Sequence, residues 1–229
     1  MKKFLIIISI VILCLYGTYH AVLPSSTVRY KLTLNIDDNG KLVTGYSVVE
    51  VYRQDTTRVF GSSLGGYGAH IKGEAVAVDL GDKGVLFALL KGDSVRNPDS
   101  YSNSEPPYII VHAFKSYFEN NGSIIDNMNK LKQDKPKTRL SNKLIPMLVR
   151  FRDINDSTTV ERVNPNNLEK AFGKGVRLVS AKLEITNESV TRKIENVLPV
   201  WNGKKFSEWR KKIPYGNSLA IDRIDFERK

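Results

Sequence analysis

The chain has 229 residues, 41% of them hydrophobic and 26% charged, a balance that excludes a disordered or collagenous polymer and is enough for a sizeable core. A formal charge of +11 points to acidic partners. The single cysteine excludes a disulfide within the chain and any thiol-based zinc site.

Between Phe4 and Leu23 the sequence runs FLIIISIVILCLYGTYHAVL, without a fixed charge, directly behind Lys2 and Lys3. About 20 apolar residues, rising ~1.5 Å each in a helix, match the ~30 Å hydrocarbon thickness of a bilayer. Residues 1–23 are therefore expected to form an N-terminal transmembrane helix that stays as an anchor, with Lys2 and Lys3 on the cytoplasmic side. The alternative is a secretory signal that is removed. Its apolar core would be Phe4 to Tyr16, but Gly17 follows bulky Leu15 by two, and Ala21 follows Tyr19, so the small-residue requirement for cleavage is met only halfway. Cys14 follows Leu13 rather than a small residue and reads as a buried apolar thiol, not a lipidation site.

On either reading residues 24–229 lie outside the cytoplasm. Setting Lys2 and Lys3 aside takes the +11 down to +9 for this part. Export removes nucleic acid from the list of partners for such charge. Anionic lipid headgroups, acidic envelope polymers or another envelope protein are the partners left.

Residues 24–27 read as a polar linker, and 28–229 as a single exported domain. VRYKLTLNI alternates, placing Val28, Tyr30, Leu32, Leu34 and Ile36 on one face. A turn at Asn39-Gly40 then returns the chain through LVTGYSVVEVYRQ, which predicts a hairpin over 28–53. GSSLGGYG, residues 61–68, is too glycine-rich for regular structure and reads as a loop. EAVAVDL and VLFALL form a second predicted hairpin, apolar enough to be central strands. Residues 92–107 make a polar excursion closed by Pro106 and Pro107. YIIVHAF fits a strand or a buried helix, and SIIDNMNKLKQ a short helix. Lys130, Lys132, Lys135, Lys137, Arg139 and Lys143 follow one another against the single Asp134, and read as a solvated loop ahead of a binding patch.

LIPMLVRFRD and TTVERV predict a third hairpin around INDS. Asn164 is placed to cap a helix with Pro165 at its first position, Leu168 and Phe172 inside, and Gly173 at its end. VRLVSAKLEIT predicts a strand with Val179, Ala181, Leu183 and Ile185 on one side. Val190, Ile194, Val197 and Leu198 recur at helical spacing before Pro199. Trp201, Phe206, Trp209 and Tyr215 are mixed with lysines, either finishing the core or meeting headgroups. LAIDRIDF reads as a last strand. Six or seven strands in adjacent hairpins predict an α+β fold, mainly antiparallel β, with about three short helices besides the transmembrane helix. The strand and long-helix alternation of a nucleotide-binding α/β fold is missing.

Chemistry has few candidates. His70 and His112 lack metal-ligand spacing, and no metal or cofactor is expected. Gly61 to Gly65 matches G-x-S-x-G around Ser63, but glycines follow where a hydrolase needs a helix. Glu50, Glu74, Asp79, Glu161 and Glu184 fall in predicted strands and could supply a carboxylate pair if two converged. Arg150, Arg152 and Asp153 read first as an exposed strand edge and second as a site for an acidic ligand. The expectation is a non-catalytic binding or scaffolding domain with no assigned site residue. The alternatives are an envelope hydrolase using strand carboxylates or Ser63, and a lipid-surface module.

Three stretches, GEAVAVDLGDKGVLFALL at 73–90, LVRFRDINDSTTVERVNPNNLEKAFGKGVRL at 148–178 and EITNESVTRKIENVLPVW at 184–201, together resemble a family of uncharacterised bacterial proteins with an N-terminal hydrophobic segment. The likeness extends over most of 28–201 and carries no reaction or site. It implies one continuous domain and a bacterial source. A single-pass protein of the bacterial inner membrane, its C-terminal domain in the periplasm, is the expected location; secretion after signal cleavage is the alternative.

Overall fold

A computed structural model describes residues 5–13, 23–57, 66–119, 122–198, 208, 211, 219 and 221–229. Its basis is one long hairpin. Strand β1 (Ser25–Asp38) alternates buried and half-buried residues along its whole length, and β2 (Lys41–Asp55) pairs with it in register from Ser25 opposite Gln54 to Asp38 opposite Lys41. Asn39 and Gly40, both with positive φ, turn the corner as read. The Asp37 carboxylate accepts from Gly40 N at 2.7 Å, and Asn39 N donates to Gly175 O at 3.1 Å. The strand starts three residues earlier than predicted, so Ser25–Thr27 belong to the sheet and not to a linker.

The other strands are β3 (Tyr67–Glu74), β4 (Val76–Asp79), β5 (Val85–Ala88), β6 (Lys137–Arg139), β7 (Leu148–Phe151), β8 (Val160–Arg162), β9 (Val176–Thr186) and β10 (Glu227–Arg228). They make a large sheet of order β10-β3-β2-β1-β9-β6 and a small one of order β4-β5-β7-β8, all of it antiparallel. The main helical elements are α1 (Tyr108–Ala113), α2 (Ile124–Asp134), α3 (Glu169–Phe172), α4 (Ile194–Val197) and α5 (Arg223–Phe226). This is the α+β, mainly antiparallel architecture that the run of hairpins predicts, with more and shorter elements.

One main core lies between the inner face of the large sheet, α1, α2 and the adjoining strands of the small sheet. Leu34, Ile36, Leu131, Leu148 and Leu183 are all fully buried within it. Each such side chain stabilises the fold by roughly 1.5–3 kcal/mol. The chain crosses from the large sheet to the small one at Ala75, and β4 then passes so close over β2 that a Cβ on Gly45 would sit 2.3 Å from Ala77 O. A second core holds Phe87, Phe151 and Phe226, their rings meeting edge-on or stacked at centroid distances of 5.7 to 6.1 Å.

Several local expectations are corrected. The hairpin over 76–88 does not supply two central strands, because β4 is an edge. Tyr67 and Gly68 begin β3 instead of continuing a loop; 58–65, with Ser63, lie outside the described residues. Asn164 makes a turn, its side chain accepting from Asn166 N at 2.9 Å, and α3 begins only after Leu168, although Gly173 does end it with φ 91°. Strand β9 carries a bulge between Asn35 and Ile36 of its partner. The extra residue puts Val179 outside, 40% exposed, while Ala181, Leu183 and Ile185 stay inside. Residues 190–193 are not helical: Thr191 bonds both backbone groups of Val48, extending the edge of β2. In place of the last strand, Arg223–Phe226 form a helix ahead of the two-residue β10, because Asp222 and Asp225 form a capping box.

Residues 5–13 are helical and their apolar side chains are exposed. Among the described residues no helix is long and apolar enough to cross a membrane; residues 1–4 and 14–22 of the predicted span, and most of the aromatic stretch from Trp201 to Tyr215, lie outside those residues.

Candidate functional site

The lysine-rich stretch is where sequence and structure diverge most usefully. It is not a loop. Ser123 caps α2 by accepting from Ile125 N at 3.1 Å, and the helix buries Ile125, Met128 and Leu131 against the large sheet. Lys130 and Lys132 are therefore fixed on its exposed side. Lys135 ends the helix in the left-handed conformation, and the chain continues directly into the edge strand β6. There Thr138 turns inward while Lys137 and Arg139 are exposed, a charge pattern that also blunts a sheet edge.

This path lays the cations along the polar face of the large sheet. Lys132, Asn129, Gln133, Lys135 and Asn187 line an open recess of about 560 Å³. Lys132 and Asn187 are shared with a second recess of about 360 Å³ that includes Thr27, Arg29, Glu50 and Thr186. Further along the same strands, Lys137, Arg139 and Lys182 surround a third, of about 430 Å³, with Thr33, Asn35 and Glu184. Arg29 is neutralised by Glu50 at 2.8 Å. Among the described residues no carboxylate pairs with Lys132, Lys135, Lys137 or Lys182. Beside the paired Arg29 and the nearby Glu184, these four lysines form a strip of exposed positive charge without an ion-pair partner among the described residues.

One bond fixes where the strip begins. Ser26 Oγ donates to Asn129 Oδ1 at 2.7 Å, so the second half of α2 is tied to the second residue of β1. Only Pro24 and Ser25 lie between Ser26 and Leu23, the last of the apolar segment, and an extended chain covers at most ~3.6 Å in each of the three steps. The basic end of the domain thus starts within roughly 10 Å of that segment. Neither Ser26 nor Asn129 is marked by the sequence; only the charge run hints at this face.

The catalytic candidates disperse. Glu50 is held by Arg29 on the polar face. Glu74 is buried and accepts from Lys193 N at 2.6 Å and Ile194 N at 2.8 Å, capping α4 from a distant strand. Asp79 accepts from Gly81 N at 2.9 Å in a turn. Glu161 bonds Arg150, and Glu184 lies by Lys182 on the third recess. Arg150 also covers the Phe172 ring of α3 at 5.2 Å, and Asp153 accepts from Asn155 N at 2.9 Å within its own hairpin. His70 is an exposed residue of β3 opposite Tyr52, whereas His112 is half-buried on α1, where burial and then the Lys115 charge hold its imidazole below the usual range. Among the described residues no three His, Cys, Asp or Glu side chains gather as metal ligands.

Compared with family models, curated proteins and solved structures, the chain matches none.

Proposed function

We propose that this chain is a membrane-tethered protein of the bacterial envelope, held by residues 4–23, whose exported domain rests its basic face on anionic headgroups and acts by binding, without catalysis. The observation that carries the reading is the Ser26–Asn129 bond, which sets Lys132 and Lys135 beside the first residues after the apolar segment. The headgroup layer is ~5–8 Å deep on each side of the hydrocarbon, so a basic surface that starts about 10 Å from its boundary lies within a Debye length of the headgroups. Each lysine so placed contributes about 1 kcal/mol, within a Debye length of about 8 Å. The unpaired state of these lysines supports the same reading, since among the described residues no carboxylate is paired with either.

Two measurements test its two parts. Full-length protein in bacterial membranes should resist carbonate extraction, with its C-terminal domain cut by protease added to spheroplasts; extraction by carbonate would sink the tether. Residues 24–229 should float with phosphatidylglycerol vesicles at low salt and be released as salt rises. No flotation at low salt would sink the docking.

A further inference from the structure

A separate recess lies where three segments meet: the polar excursion after β5, the end of α1, and the turn that follows β6. Ser100 and Asn103 come from the first, His112 and Lys115 from the second, and Ser141 and Lys143 from the third. With Leu144 they enclose about 200 Å³. Backbone bonds hold these walls. Ser100 N donates to Asn97 O at 3.2 Å and Asn103 N to Ser100 O at 3.1 Å, while Leu144 N donates to Ser141 O at 2.9 Å. Buried Asn97 ties the first segment to the third, its Nδ2 donating to Lys143 O at 3.0 Å. The recess is therefore formed before anything enters it.

Every polar side chain in this ring can donate a hydrogen bond, and none is a carboxylate. Among the described residues none of the six has a hydrogen-bond or ion-pair partner for its side chain. The serines make the point. Ser100 and Ser141 each stand just before a short 3-10 turn, Tyr101–Ser104 and Asn142–Leu144, where a hydroxyl commonly caps, and neither hydroxyl does so. Lys115 and Lys143 are exposed, so solvent and any ligand reach their ammonium groups. Burial and the Lys115 charge hold the half-buried His112 imidazole below its usual range. At about pH 7 it is neutral and offers one ring N–H.

We propose that this recess binds the phosphoryl group of a phosphate monoester. Two ammonium groups without a counter-ion match the dianion of a monoester, whose second pKa is about 6. The oxygens of that dianion only accept, and the ring presents hydroxyl, amide, imidazole and ammonium donors to them. A phosphodiester or a carboxylate brings a single charge and leaves one lysine uncompensated. The chemistry thus differs from that of the basic sheet face, which meets the diesters of ordinary headgroups. The volume is smaller than the roughly 300–1,000 Å³ of drug-sized pockets, and suits one phosphoryl group with the rest of the molecule outside.

The test is calorimetric titration of the full-length protein in uncharged detergent micelles, at about pH 7.5, with methyl phosphate. Dimethyl phosphate and acetate are titrated in parallel. One methyl phosphate should bind per chain, and the two monoanions at least about ten-fold more weakly. Lys115→Gln and Lys143→Gln should each weaken methyl phosphate about ten-fold, and exposed positions make both variants safe for folding. The His112 imidazole signal in NMR should move on saturation while that of exposed His70 stays. Lys132→Glu with Lys135→Glu should leave methyl phosphate binding unchanged, so failure of membrane docking and failure of this site are told apart. Phosphatidic acid added to the micelles separates the two sources of a monoester: displacement of methyl phosphate assigns the site to a lipid headgroup, and retention assigns it to a soluble compound. No saturable methyl phosphate binding, equal affinity for dimethyl phosphate, or full affinity in a folded protein carrying both Lys115→Gln and Lys143→Gln would each overturn the proposal.

Discussion

Ser26 Oγ and Asn129 Oδ1 meet at 2.7 Å although 103 positions separate them in the chain. Through that contact the start of the domain and the basic helix α2 behave as one unit. Removing the hydroxyl costs one hydrogen bond at a buried position, about 1 kcal/mol. Ser26→Ala should lower the melting temperature by about 2–4 °C for a domain of this size. Asn129→Ala should cost a similar amount, and the double variant little more than either alone. Thermal melts of the three proteins check this; fully additive losses would mean that the two side chains do not interact.

The docking reading makes a charge prediction separate from stability. Lys132 and Lys135 are exposed and have no ion-pair partner among the described residues, so reversing both should leave folding within about 0.5 kcal/mol. At about 1 kcal/mol per lysine, Lys132→Glu with Lys135→Glu should cut binding to anionic vesicles at least ten-fold and flatten its salt dependence. Flotation of residues 24–229 at several salt concentrations measures both. Reversing Lys170 and Lys174, in and just beyond α3, is the matched control and should change binding little.

Glu74 carries weight of another kind. Its buried carboxylate serves the first free N–H groups of α4, which has only four residues and no side-chain cap of its own. Glu74→Ala should cost about 1.5–3 kcal/mol, the range for hydrogen bonds to a charged group, while Glu74→Gln keeps an acceptor and should cost less. Amide exchange at Lys193 and Ile194 should accelerate in the alanine variant far more than at Leu183. Uniform acceleration would place the loss elsewhere.

How far the sequence reveals this depends on the range of each interaction. The first hairpin is legible because alternation and an Asn-Gly corner are local, and α2 is legible because its apolar residues recur at helical spacing. The bulge at Val179 is invisible, since an alternating pattern reads the same until one residue is skipped. Glu74 could be placed on a strand, but its partners lie 119 and 120 positions away, so no spacing rule finds them. Arg96 is hidden more thoroughly: it stands three positions after Asp93 in a polar stretch, and only the carbonyls of Ile145 and Pro146, brought up by the approach to β7, hold it as a half-buried cation.

Phe226 shows the same long reach at the carboxyl end. The side chain is fully buried between Phe87 and Phe151, and its carbonyl accepts from Ala75 N at 2.7 Å. Phe226→Ala should cost about 3–5 kcal/mol, because the surrounding rings cannot collapse into the space, and Phe226→Leu about half as much. Chemical denaturation gives both values. A loss below about 1 kcal/mol for the alanine variant would show that the last residues do not close the second core.

His112 supplies a pH dependence whose sign follows from its surroundings. It lies in the last turn of α1, where the helix dipole favours an imidazolium, but the helix has only six residues. Burial and the nearby Lys115 charge act the other way and prevail, so the folded-state pKa lies below the ordinary 6.5. As pH falls through 6.5 the unfolded chain takes up the proton first, and stability declines until the folded-state value is passed. His112→Gln removes that titration. Denaturation at about pH 7.5 and about pH 5 should show the wild type losing more stability than the variant over this interval, in which the carboxylates contribute alike to both. Equal losses would mean that the imidazole titrates as it does in the unfolded chain.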